Sequence, residues 1–79
     1  MDKTTEEIAQ DYIAMGHSVT LITDIIAGNA MADNTAEDKQ DCVDRNVEHL
    51  VLMVAKDYWT DEDMTAVNSA ITAGNGYTA

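Results

Sequence analysis

Six apolar residues in the first third of the chain follow a heptad-like spacing of four, three, four, three and four. They are Ile8, Tyr12, Met15, Val19, Ile22 and Ile26. Residues three or four positions apart lie on one face of an α-helix, because both intervals come close to whole turns. A stripe of this length must be buried against another surface. In a chain of 79 residues, that surface belongs to another helix of the same chain or to a second copy.

The first predicted helix covers about residues 5–27. Thr4 and Glu7 fit a capping box at its start, in which each side chain bonds the other's backbone N–H. Gly28 can end the helix, because glycine adopts the left-handed backbone geometry found at many helix C-termini. The segment 17–23 is rich in β-branched residues, so a strand there is the alternative.

The second predicted helix covers about residues 35–57. Its start can be capped by Asn34 together with Glu37, or by Thr35 instead. Its apolar stripe again has intervals of four, three and four, and consists of Val43, Val47, Leu50 and Val54.

The third predicted helix covers about residues 61–73, with Thr60 as its cap. Three acidic residues fill its first turn, where the helix dipole favours negative charge. Residues 74–79 are predicted to be a flexible tail.

The sequence therefore predicts a single all-α domain over residues 1–79, formed by an antiparallel helical hairpin and a short third helix. A short connection between the two long helices makes them antiparallel. The domain is predicted to be part of a homo-oligomeric helical bundle, because a core of this size is only marginally stable. The predicted core comprises Ile8, Met15, Val19, Ile22, Ile26, Val43, Val47, Leu50 and Val54.

Fifteen acidic residues and four basic ones give the chain a net charge of −11. Direct binding to nucleic acid or to an anionic membrane is disfavoured, because both need lysine and arginine. The acidic surface is explained by solubility. Alternatively, this chain mimics a nucleic acid and binds the basic cleft of a partner protein. The N-terminus lacks the cationic region of a signal peptide, and no apolar run is long enough to cross a membrane. Cys42 is the sole cysteine, which suits a reducing, cytoplasmic location.

Three carboxylates of the second helix, Asp41, Asp44 and Glu48, share one face and could hold a divalent cation. Since they lie opposite the apolar stripe, a solvated face is the favoured interpretation. Cys42 and His49 are seven residues apart on the second helix, too far for a catalytic hydrogen bond. A zinc site needs two more ligands, and the chain has only one other histidine and no other cysteine. No cofactor, metal site or catalytic residue is therefore predicted.

The second helix carries more apolar surface than two neighbouring helices of these lengths would cover. An exposed apolar patch of several hundred Å² is unusual on a monomer, so we expect a symmetric homo-oligomer, with a dimer favoured. The interface candidates are Val51, Leu52, Met53, Tyr58 and Trp59. Tyr58 and Trp59 lie at a helix–helix junction, where they either close the core or anchor an interface.

Three short sequences, RNVEHL at 45–50, MVAKD at 53–57 and WTDEDMTAVN at 59–68, lie in the C-terminal half. Over about residues 43–74 the chain resembles small uncharacterised proteins of marine tailed bacteriophages. The resemblance implies an accessory protein made in an infected bacterium, and it implies no activity and no site residues.

The function favoured by the sequence is non-catalytic protein–protein interaction. The alternative is a nucleic-acid mimic that binds the basic cleft of a partner. A third class is a helical enzyme that handles a divalent metal or a nucleotide.

Overall fold

The computed structural model describes residues 4–79, in which the chain forms three α-helices: α1 (Thr5–Ala27), α2 (Ala36–Val54) and α3 (Asp61–Asn75). Each helix contacts the other two. The all-α prediction is confirmed. The strand considered for residues 17–23 is wrong, because α1 continues through that segment without interruption.

Three threonines cap the three helices. The hydroxyl oxygens of Thr4, Thr35 and Thr60 each accept a hydrogen bond from the backbone N–H three residues later, at 3.2, 3.1 and 3.2 Å. At α3 the box is reciprocal, because the Asp63 carboxylate accepts from the Thr60 N–H at 3.2 Å. At α1 the Thr4 hydroxyl also donates to the Glu7 carboxylate. These bonds satisfy N–H groups that have no partner within a helix.

The helix ends differ from the predictions in two places. α1 ends at Ala27 as predicted, and Gly28 caps it with a φ of 82°, the left-handed geometry expected of glycine. α2 ends at Val54, about three residues earlier than predicted. α3 continues through Asn75, and the segment after it is not a free tail. The side chain of Gln40 donates to the Tyr77 carbonyl at 3.2 Å and accepts from the Ala79 N–H at 2.9 Å.

The core lies along the axis shared by the three helices. Its buried apolar residues are Met15, Ile22, Ile25, Val43, Val47, Leu50, Met53, Val67 and Ala70. Five of the nine predicted core residues are therefore buried: Met15, Ile22, Val43, Val47 and Leu50.

The predicted core of α1 needs a correction. Ile26 is 41% exposed, and its neighbour Ile25 is buried in its place. The buried line of α1 runs through Met15, Ser18, Ile22 and Ile25, so it is rotated from the predicted stripe. Because of this rotation, Tyr12 is exposed, whereas Ile8 and Val19 are only half-buried. Val54, the last residue of α2, is also only half-buried.

Candidate functional site

The five predicted interface residues lie in different environments. Val51 and Leu52, which we call the α2 patch, are 50% and 69% exposed. Together with Val47 and Glu48 they line a shallow depression of about 360 Å³. Met53 is only 5% exposed and belongs to the core. Its assignment as an interface candidate is therefore wrong, because its position on α2 directs its side chain into the bundle.

Trp59 closes the C-terminal end of α2. Its indole N–H donates to the carbonyl of Met53 at 2.6 Å, and the backbone N–H of Lys56 donates to the same oxygen at 3.1 Å. The last carbonyls of a helix lack partners within the helix. The half-buried Trp59 side chain therefore stabilises the end of α2, a role that the sequence did not reveal.

Tyr12, Tyr58 and Trp59 form a cluster that we call the aromatic junction, where α1 meets the connection between α2 and α3. The ring centroids of Tyr58 and Trp59 are 4.6 Å apart, with a 58° angle between the ring planes. Those of Tyr12 and Trp59 are 6.3 Å apart, at 44°. Tilted pairs at such distances are favourable, because the positive edge of one ring approaches the negative face of the other.

The Tyr58 hydroxyl donates a hydrogen bond to the Asp11 carboxylate. Partial burial of the phenol, followed by this hydrogen bond and the negative charges of Asp11 and Asp57, raises the pKa of Tyr58 to about 12. All three influences favour the neutral phenol over the phenolate. Asp11 was not identified from the sequence. It lies seven residues before Ser18, so its position on the buried line of α1 was the available signal.

Ser18 and His49 form the second polar contact between α1 and the rest of the bundle. The distance from Ser18 Oγ to His49 Nδ1 is 2.8 Å. Ser18 is 3% exposed, so its oxygen is out of reach of an external substrate and the pair is not a catalytic dyad. The hydrogen bond instead satisfies a hydroxyl that would otherwise be buried without a partner.

The carboxylate face of α2 is exposed to solvent. The Arg45 Nε atom lies 3.1 Å from Asp41 Oδ2, an exposed ion pair within α2. The Gln40 side chain donates to Asp44 Oδ1 at 3.0 Å. Within residues 4–79, no group of three His, Cys, Asp or Glu side chains is arranged to hold a metal ion.

A groove of about 310 Å³ is lined by residues of α1 and α3, and we call it the α1–α3 groove. Its α1 wall consists of Tyr12, Met15, Gly16 and Val19. Its α3 wall consists of Glu62, Asp63, Ala66 and Val67. The groove thus combines an apolar base, one aromatic ring and two carboxylates. It was not predicted, because its walls come from helices that are distant in the sequence.

Comparison of the chain with protein-family models, with curated proteins and with solved structures found no match. In the described part of the chain, none of the helices has the length and apolar character needed to cross a membrane.

Proposed function

We propose that this protein is a non-catalytic interaction module that forms a homodimer through the α2 patch. The observation that supports the proposal is the exposure of two adjacent large aliphatic side chains, Val51 at 50% and Leu52 at 69%. Burial of apolar surface contributes about 25 cal/mol per Å². A two-fold symmetric dimer would let each α2 patch cover the other.

Charge opposes this dimer. Each chain carries a net charge of −11, and Glu48 lies beside the α2 patch. Two copies therefore repel each other, and dissolved salt screens the repulsion. The dimer should consequently become tighter as the salt concentration rises.

Sedimentation equilibrium at low and at moderate salt tests the proposal. Leu52→Gln should shift the protein to a monomer, because it removes the most exposed apolar side chain of the α2 patch. Ile13→Gln is the matched control, since Ile13 is also 69% exposed but lies on α1, outside the depression. The control should retain the dimer. A wild-type monomer at high micromolar concentration in both salts would refute the proposal.

A row of carboxylates favours a second candidate, a nucleic-acid mimic. Glu37, Asp41, Asp44 and Glu48 are exposed along one side of α2, at intervals of four, three and four. We expect a partner with a basic cleft that salt releases and that duplex DNA displaces from this chain. Neutralising Asp41, Asp44 and Glu48 together should abolish that binding. An accessory role during phage infection stays a prediction that fits either candidate.

A further inference from the structure

We propose that the α1–α3 groove is a second interaction surface, distinct from the α2 patch, and that it binds a basic amphipathic helix of a partner protein. The apolar side chains of that helix would contact the base of the groove. Its lysine or arginine side chains would reach Glu62 and the ring of Tyr12 at the rim.

Gly16 lies inside α1 and lines the groove. A glycine within a helix costs about 1 kcal/mol relative to alanine. The backbone of Gly16 does not require glycine, since its φ is not positive. A Cβ atom at this position would meet nothing within 4 Å. Packing within the chain therefore gives no reason for glycine here, whereas close approach of another backbone across the groove would.

The groove combines apolar, acidic and aromatic side chains. Its accessible apolar base is formed by the half-buried Val19 and the exposed Ala66, because Met15 and Val67 are only 3% and 1% exposed. The Asp63 carboxylate is already bonded to the Thr60 N–H. Glu62 is exposed, and no ion pair with another residue of 4–79 involves it. Tyr12 is 52% exposed, so the face of its ring can accept a cation.

A basic helical segment fits this groove better than a second copy of the chain does. A groove between two helices that combines apolar contacts with acidic rims suits a helical segment, whose side chains at helical spacing reach base and rim together. A second copy of this chain is a poor occupant, because it brings four basic residues with fifteen acidic ones. Charge complementarity therefore favours a basic partner.

Two matched variants test the charge contact. The probe is a short synthetic helical peptide of leucine and lysine with apolar residues on one face, and binding is followed by amide chemical shifts. Glu62→Gln should weaken binding about two- to fivefold, as expected for an exposed charge pair. Glu6→Gln is the control, because Glu6 is exposed and occupies the same second position of α1 that Glu62 occupies in α3. It makes the same change in net charge and should have a smaller effect.

A third variant tests the shape of the groove. Gly16→Leu should fill the groove and weaken binding about tenfold or more, a change that corresponds to about 1.4 kcal/mol. Gly16→Ala should have an intermediate effect. A circular dichroism spectrum establishes that each variant is folded. If Gly16→Leu fails to fold, the comparison of Glu62→Gln with Glu6→Gln decides the question.

Several results would overturn this inference: no binding by the wild type, equal weakening by the two glutamate variants, or unchanged binding by folded Gly16→Leu. Two further observations separate it from the proposed dimer. Peptide binding should weaken as salt rises, whereas the dimer should tighten. Leu52→Gln should disrupt the dimer and leave peptide binding intact, so either proposal can fail without the other.

Discussion

Two glycines inside helices should respond oppositely when each is replaced by alanine. Gly16 lies on the exposed side of α1, and a Cβ atom there meets nothing within 4 Å. Gly74 is buried in α3, and a Cβ atom there would overlap the Cγ2 methyl group of Val47 and approach Val43 Cγ1 at 3.5 Å. The same chemical change therefore meets open space at one site and a packed core at the other.

The expected magnitudes follow from this difference. Gly16→Ala should stabilise the protein by about 0.5–1 kcal/mol, since alanine restricts the unfolded chain and favours the helix. Gly74→Ala has a similar benefit, but overpacking a core costs about 1–3 kcal/mol. Val47 cannot turn aside easily, because it is 8% exposed and β-branched side chains are stiff. The expected net loss is about 1 kcal/mol, within a range of about 0–2.5 kcal/mol.

Thermal and urea unfolding at equal protein concentration measures both effects, because self-association would otherwise change the apparent stability. In a domain of this size, 1 kcal/mol corresponds to about 4–8 °C in Tm. A double-mutant cycle gives the sharper test. Val47→Ala removes the methyl group that the Cβ atom introduced by Gly74→Ala would overlap, so the combined variant should be more stable than the sum of the single effects predicts.

The predicted overlap at Gly74 would be refuted if Gly74→Ala raised Tm as much as Gly16→Ala does. It would also be refuted if Gly74→Ala and Val47→Ala were additive, because the overlap between their side chains would then not exist.

Three further perturbations address the core, a cap and the aromatic junction. Leu50→Ala should cost about 2–5 kcal/mol in urea unfolding, because Leu50 is fully buried; a loss below about 0.5 kcal/mol would contradict the orientation of α2. Thr60→Ala should cost about 1 kcal/mol by removing the cap of α3, and Thr60→Ser should restore most of it. The raised pKa of Tyr58, about 12 instead of 10.0, stabilises the folded protein below pH 10, and this contribution is lost as the pH rises through 12. Tyr58→Phe should therefore weaken the pH dependence of unfolding in that range, and an unchanged dependence would exclude this role of Tyr58.

The buried residues of α2 were predictable from the sequence, whereas those of α1 were only partly predictable. On α2 the buried residues Val43, Val47 and Leu50 are all aliphatic, so a search for apolar spacing finds them. On α1 the buried line includes Ser18. A search for apolar spacing omits Ser18 and therefore places Tyr12 and Ile26 on the buried face of α1.

Features that depend on tertiary contacts could not be predicted. Neither glycine nor proline follows Val54 to mark the end of α2, and the bond from the Trp59 indole to the Met53 carbonyl stabilises that end from six residues away. The α1–α3 groove depends on how two distant helices are placed. The sequence shows Gly16 only as an unfavourable residue within a helix. The structure adds that there is open space beside it, which could admit a partner.

The hydrogen bond between Ser18 and His49 has a consequence for how the two long helices are aligned. Aliphatic seams with heptad spacing can slide past each other by one heptad and still bury apolar surface. Sliding α1 along α2 would separate Ser18 from His49 and leave a buried hydroxyl without a partner, which costs about 1–3 kcal/mol. The same shift would separate Asp11 from Tyr58. These two polar pairs, whose α1 members are seven residues apart, thus fix the register of the two long helices, as buried polar residues do in coiled coils.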